Sequence, residues 1–222
     1  MKHRRSIFLL LIITVVTLYC RVEFCYAAES SDITTRASTT ATTAKTAGTA
    51  AELKALLTSS TDYTITLTAD ITISKKINIA GTKTIKGAGY KIIRNEGFTD
   101  ARMLIVDAGS KLTLSDNLTV TGHRSKVESE AGIIKVESGG NLVVKDTVMI
   151  NNNYSLSSGG GIYIKGTVTM SGGVITNSTC TGDGGGVYIT SGGVFNMSGG
   201  SIYGNEAFLD GGGVAIASGG TF

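Results

Sequence analysis

Apolar and polar residues alternate in short runs from Tyr63 onward. In the first runs a branched apolar residue stands at every second position, and threonine, serine, lysine or asparagine stands between. The apolar members are Ile65, Leu67, Ile71, Ile73, Ile77 and Ile79. A period of two is typical of β-strands that bury one face. The pattern therefore predicts a chain of short strands.

A glycine-rich motif then repeats at long range. It reads GGGIYI at 159–164, GGGVYI at 184–189 and GGGVAI at 211–216, with a weaker copy, AGIIKV, at 131–136. The copies align a first-strand position at Leu104, Ile134, Ile162, Val187 and Val214. A second-strand position aligns independently at Leu112, Leu142, Val168, Phe195 and Phe222. A third apolar pair recurs at Leu118/Val120, Val148/Ile150, Val174/Ile175 and Ser201/Ile202. Each repeat therefore holds three predicted strands.

Three strands in each repeat of about 25–30 residues, without a helix, predict a parallel β-helix. Each coil pairs its backbone with the next coil about 4.8 Å away and adds one layer of apolar side chains to the core. A propeller blade would need about 40 residues and four strands. Hairpins would show Asn-Gly or Asp-Gly turns between strands, and those are absent at the required places.

Upstream of the strands, Leu53, Leu56 and Leu57 share one face of a predicted helix, with Thr49 as its N-cap. We expect this helix, at 51–57, to cap the first coil. Residues 29–50 are almost wholly serine, threonine and alanine, which predicts a flexible linker. Residues 1–28 combine a basic start, a short apolar run and small residues before position 29, the pattern of a secretory signal peptide.

The β-helix is accordingly predicted over 51–222. The last repeat stops at Phe222, in the second strand of its coil, so we expect a chain truncated at its C-terminus. Any membrane association is expected through the missing C-terminal part. A chain with a signal peptide would be exported from the cytoplasm.

Charge and cysteine content narrow the choice of partners. The formal net charge is +3, and residues 1–28 carry that whole excess. The remainder is neutral, which argues against nucleic acid as a partner. After removal of a signal peptide only Cys180 would remain, so no disulfide within the mature chain is expected.

The motif GGG[IV]Y[IV], the segment FNMSGG at 195–200 and the Asn-Glu-Ala segment before the next glycine run resemble bacterial surface repeats. The resemblance is to secreted, adhesin-like proteins of the right-handed, single-stranded parallel β-helix class, related to polymorphic outer membrane protein repeats. The strands at 63–94 are similar to the N-terminal coils of that class and of pectin-lyase-like proteins. The resemblance implies that the chain is secreted or displayed at the cell surface, outside the cell or at the outer membrane.

No catalytic or cofactor-binding residues are predicted, because carboxylates do not cluster on a strand face as a glycosidase or calcium-assisted lyase requires. Asp183 and Asp210 precede glycine runs in adjacent repeats and are weak candidates for a calcium site, although aspartate also favours such turns. Tyr163 and Tyr188 should stack outward on neighbouring coils. They form either an aromatic ladder that supports the sheet or a surface that binds a sugar or a protein.

Two classes of function follow. The first is a non-catalytic, adhesin-like module that binds a protein or glycan of a host or cell surface, or acts as a rigid stalk. The second is a fragment of a β-helix polysaccharide lyase or glycoside hydrolase whose catalytic coils lie elsewhere.

Overall fold

The computed structural model describes residues 42–123 and 132–222. This part of the chain is an all-β, right-handed parallel β-helix with one short helix. The predicted fold class is therefore confirmed. The predicted signal peptide lies outside the described residues.

The strands fall into six successive coils after an N-terminal strand and helix. Strand β1 (Thr43–Ala47) and helix α1 (Ala50–Thr58) come first. Coil 1 contains β2 (Tyr63–Leu67), β3 (Ile71–Ile73) and β4 (Ile77–Ile79), and coil 2 contains β5 (Thr82–Lys86), β6 (Lys91–Arg94) and β7 (Arg102–Val106). Coil 3 contains β8 (Lys111–Ser115), β9 (Thr119–Thr121) and β10 (Gly132–Val136), and coil 4 contains β11 (Asn141–Val144), β12 (Met149–Asn151), β13 (Tyr154–Ser155) and β14 (Ile162–Ile164). Coil 5 contains β15 (Thr167–Thr176), β16 (Thr179–Cys180) and β17 (Val187–Ile189), and coil 6 contains β18 (Val194–Tyr203), β19 (Glu206–Ala207) and β20 (Val214–Ile216).

Equivalent strands of successive coils pair in parallel and form three sheets. One sheet runs β4-β7-β10-β14-β17-β20 and carries the glycine motif at its edge. A second, longer sheet contains the first two strands of every coil, which join into the single long strands β15 and β18 in coils 5 and 6. A third, small sheet runs β13-β16-β19. The sequence did not predict this third sheet, because its two-residue strands are too short to show a period.

The core is a set of straight columns of apolar side chains. Leu104, Ile134, Ile162 and Val187 pair in register and are fully buried, and Val214 continues the column. The second predicted column, from Leu112 to Phe195, is likewise in register and buried. Both predicted alignments are confirmed. In the third alignment Ile175 pairs with Ile150 as predicted, and Val174 pairs with Met149 rather than with Val148, because Val174 is adjacent to Ile175 whereas Val148 stands two positions before Ile150.

The N-terminal end of the core is closed by β1 and α1. Strand β1 pairs with β2, and Leu53 and Leu57 of α1 are buried against the first coil. Thr49 is the N-cap, and it forms a capping box with Glu52. The predicted capping helix is confirmed. The predicted flexible linker 29–50 is wrong over the residues of β1, because this Thr/Ala-rich segment pairs as a strand. Residues 29–41 lie outside the described residues.

The first coil is shorter than the predicted 25–30 residues. Tyr63 pairs with Lys83, 20 positions later, whereas Leu112 pairs with Leu142, 30 positions later. Coil 1 lacks the eight-residue segment that forms the third sheet in coils 4 to 6.

The glycine run fits a turn that only glycine adopts without strain. Gly159, Gly184 and Gly211 all have positive φ, at 73°, 69° and 67°. At the next position a Cβ on Gly160 would lie 2.4 Å from the carbonyl oxygen of Gly185. Glycine therefore recurs because the stacked turns bring backbone against backbone.

Candidate functional site

A column of outward side chains runs along the sheet that carries the glycine motif. Ile105, Lys135, Tyr163, Tyr188 and Ala215 are paired in register, one from each of coils 2 to 6. The rings of Tyr163 and Tyr188 lie 5.5 Å apart between centroids, tilted by 40°. The predicted outward stacking of the two tyrosines is confirmed, and both rings are half-buried.

Arg102 supports this pair from the interior. Its guanidinium carbon lies 4.9 Å from the centre of the Tyr163 ring, within the range of a cation–π contact. Its Nη1 donates to the carbonyl oxygen of Gly159, and its Nη2 donates to the carbonyl oxygen of Ser158 and to Ser157 Oγ. One buried side chain thus fixes both the Tyr163 ring and the turn beside it.

The two tyrosines line an open groove of about 370 Å³. The other residues that line it are Ala101, Arg102, Lys135, Ser157, Ser158 and Lys165. Glu137 is salt-bridged to Lys135, and its other oxygen lies 3.9 Å from Lys165 Nζ. Three cationic side chains therefore line the groove beside two aromatic rings and two serine hydroxyl groups, and the Glu137 carboxylate lies between the two lysines.

Burial changes the acid–base behaviour of two residues of the groove. Loss of water lowers the pKa of Arg102 to about 10, so its guanidinium stays protonated at neutral pH. Burial raises the pKa of Tyr188, and the charge of Asp183 and the neighbouring Tyr163 add to the effect. The Tyr188 hydroxyl is therefore neutral at neutral pH and can donate or accept a hydrogen bond.

The aspartates Asp183 and Asp210 lie on adjacent coils, as their spacing predicts. The Asp183 side chain accepts a hydrogen bond from the backbone N–H of Asp210, and Ser158 Oγ accepts the corresponding bond from Asp183. These hydrogen bonds pair backbone amides of the turns on adjacent coils. This is the turn-stabilising role that the sequence analysis gave as the alternative to calcium binding. Within 42–123 and 132–222, histidine, cysteine and acidic residues form no group of three or more that could hold a metal ion.

Cys180 is buried in the small third sheet. Its thiol lies within hydrogen-bonding distance of the carbonyl oxygens of Gly182 and Asp183, at 3.3 and 3.4 Å. Burial raises the pKa of this thiol, which keeps it protonated. In the described ranges, no helix is long and apolar enough to span a membrane.

The sequence located the tyrosines but missed Arg102, Lys165 and the serines as members of the same groove. Arg102 pairs with Gly132, and the corresponding position in coils 4 to 6 is the second glycine of the motif. The alignment of the repeats therefore placed an arginine where later coils have glycine, and this difference could have marked Arg102 as a functional candidate. Its partners could not be predicted, because the side chain passes over coil 3 to reach coil 4.

The side chains of the groove offer two kinds of contact to a ligand. Rigid rings offer faces and edges to a sugar, and the lysines and hydroxyls offer hydrogen bonds. Comparison with family models, with curated proteins and with solved structures finds no match for this chain.

Proposed function

We propose that this chain is a non-catalytic binding module, exported to the cell surface or the medium, that binds a surface glycan through the groove of Tyr163 and Tyr188. The observation that carries the proposal is the ordered stack of Arg102, Tyr163 and Tyr188 beside an open groove. The signal-peptide pattern at 1–28 and the resemblance to adhesin-like surface repeats support the location and the class.

Rigidity makes the groove suited to binding. The tyrosines stand on neighbouring strands of a parallel sheet, and Arg102 holds one ring from beneath. A ligand therefore meets side chains that lose little conformational freedom, which lowers the entropic cost of binding. The half-buried rings keep enough exposed surface for a sugar ring to pack against.

A glycan array with the full chain tests the proposal. We expect binding to a subset of glycans, without newly formed reducing ends, and loss of that binding in Tyr188→Ala. Tyr203→Ala is the matched control, because Tyr203 is also a strand tyrosine but lies exposed in coil 6, outside the groove. Absence of glycan binding, or equal loss in both variants, would contradict the proposal. Cleavage of the bound glycan would instead support the enzyme-fragment hypothesis.

Export is tested separately. A reporter that is active only outside the cytoplasm should gain activity when residues 1–28 are fused to its N-terminus. A fusion in which an aspartate interrupts the apolar run 7–19 is the control and should stay inactive. Equal reporter activity with both fusions would contradict export by this segment.

A further inference from the structure

We infer that the groove is built for a saccharide that carries a carboxylate or sulfate group. This inference rests on the proposed function and names its ligand class. The sugar ring would pack against Tyr163 and Tyr188, and its anionic group would bind Lys135 and Lys165.

The two lysines converge on one point of the groove. Lys135 points outward from β10, and Lys165 follows β14 on the next coil. Their ammonium groups meet at Glu137, which is ion-paired with Lys135 and lies 3.9 Å from Lys165. The structure thus already shows one carboxylate between the two lysines, in the arrangement that a ligand carboxylate or sulfate would use.

One carboxylate does not neutralise this end of the groove. Arg102 adds a third positive charge and is buried, so its donors are committed to Ser157, Ser158 and Gly159 rather than to a ligand. Arg102 is therefore a positioning residue that also contributes a positive field. The Lys135 and Lys165 side chains retain 24% and 43% of their exposure, so a ligand can reach both.

The lysine and the aromatic ring stand side by side. Lys135 pairs directly with Tyr163, which places the ammonium and the ring on neighbouring strands about 4.8 Å apart. An acidic sugar offers an apolar ring face and a charged substituent at a comparable separation. A neutral sugar would offer no anionic group to the two lysines, whose ammonium groups would then interact with Glu137 alone.

The first test uses Glu137→Gln, which removes the carboxylate that competes for the lysines. Affinity for dextran sulfate and hyaluronan oligosaccharides should rise about 3- to 10-fold, since each lysine becomes free for a charge-assisted hydrogen bond. Affinity for unsulfated dextran or carboxyl-reduced hyaluronan should not change. The sulfated and carboxylated probes separate the two sources of anionic charge.

The second test uses the double variant Lys135→Gln/Lys165→Gln. Binding of the anionic probes should fall about 10-fold or more and lose most of its dependence on salt concentration. Lys111→Gln is the matched control, because Lys111 is an exposed strand lysine of the other large sheet and should leave affinity unchanged. Thermal unfolding of each variant checks that the fold is retained.

The outcomes separate the inference from the proposed function. Glycan binding that depends on Tyr188 but is unchanged in Glu137→Gln and in Lys135→Gln/Lys165→Gln would overturn the inference and leave the proposed function standing. Binding of no glycan would overturn both. Binding of a poly-glutamate peptide in preference to every anionic saccharide would also overturn the inference.

Discussion

At the scale of single residues, buried cations such as Arg102 and Lys83 hold backbone carbonyl groups in place. Arg102 binds the turn at 157–159. Lys83 donates to the carbonyl oxygens of Ser59 and Thr61, which follow α1, and to that of Ala80, which follows β4. Lys83 occupies the column position that Leu112 fills in the next coil. Burial lowers its pKa, and the negative charge of Asp62 opposes that shift. The three hydrogen bonds offset part of the free-energy cost of removing the ammonium group from water. These cations donate hydrogen bonds to buried carbonyl oxygens, which apolar side chains cannot do. A buried carbonyl oxygen without a donor would destabilise the fold.

Gly132→Ala tests the path of the Arg102 side chain. A Cβ at Gly132 would overlap Arg102 Nη1, so either the guanidinium must leave its acceptors or the strand must shift. We expect the free energy of unfolding to fall by about 1–3 kcal/mol in urea titrations. Gly97→Ala is the control, since a Cβ there meets nothing closer than 3.5 Å, and it should change stability by less than about 0.5 kcal/mol. Equal effects of the two substitutions would contradict this account of Arg102.

At the scale of elements, the alternation of side chains decides what is buried. Val187 lies in the core column, and Tyr188, its neighbour in β17, lies on the outer face. A shift of one residue would exchange the two, so the strands have a single acceptable register.

Val187→Asp and Tyr188→Ser should therefore have opposite outcomes. An uncompensated carboxylate in the core costs several kcal/mol, so we expect the aspartate variant to unfold around coil 5. The serine variant should keep the circular dichroism spectrum and cooperative thermal transition of the parent, although it loses one ring of the groove. If both variants melt alike, the assigned register is wrong.

The capping box of α1 gives a prediction about pH. The Glu52 carboxylate accepts bonds from the N–H groups of Gly48 and Thr49, at 2.9 and 3.1 Å, and these lower its pKa below its ordinary 4.5. The folded state therefore binds the Glu52 proton less readily than the unfolded state. Its contribution to stability is present above that ordinary value and is lost as the pH falls through the lowered one.

We expect the stability difference between the parent chain and Glu52→Gln to shrink as the pH is lowered below about 4.5. Thr49→Ala should cost about 1 kcal/mol near neutral pH, because the N–H of Glu52 loses its acceptor. Urea titrations at several pH values measure both effects. A Glu52→Gln difference that grows on acidification would show that the sign is wrong.

Alignment of the repeats predicted the long columns of the core, but it did not predict strand β1 or most residues of the groove. The columns through Ile134 and Leu142 followed from the repeat, since the glycine runs mark the same turn in coils 4 to 6 and the earlier coils align with them. Strand β1 was missed because its threonine and alanine side chains bury little and its pairing comes from the backbone of β2. Of the groove residues, only the tyrosines were predicted. Lys165 lies just after β14, outside the aligned strand positions, and the long side chain of Arg102 carries its guanidinium to backbone groups two coils away.

At the scale of the whole molecule, each coil contacts the coils before and after it. Stability in such an array is approximately a sum of coil and interface contributions. Local damage should therefore spread to adjacent coils and fade with distance. Phe195 is a good probe, since it is fully buried, pairs with Val168 and stacks on Phe222 at 5.2 Å.

Phe195→Ala should remove about 3–5 kcal/mol from the region around it by opening a cavity. In native-state hydrogen exchange we expect reduced protection in coils 4 to 6, with α1 and coils 1 and 2 little changed. Ser198→Ala is the control, as Ser198 is an exposed residue of the same strand. A uniform loss of protection along the whole array would indicate one cooperative unit instead.

Repeat arrays gain and lose units by duplication and deletion, and the reach of Arg102 limits where that can happen here. A duplicated coil 3 would separate the guanidinium from the 157–159 turn by one more interstrand step of about 4.8 Å. The side chain could not cover that added distance, so coils 2 to 4 are bound into a block of fixed length. A duplicated coil 5 would meet no such barrier and would add a third tyrosine to the outer column. The array can therefore lengthen its aromatic surface by copying while the basic end stays constant.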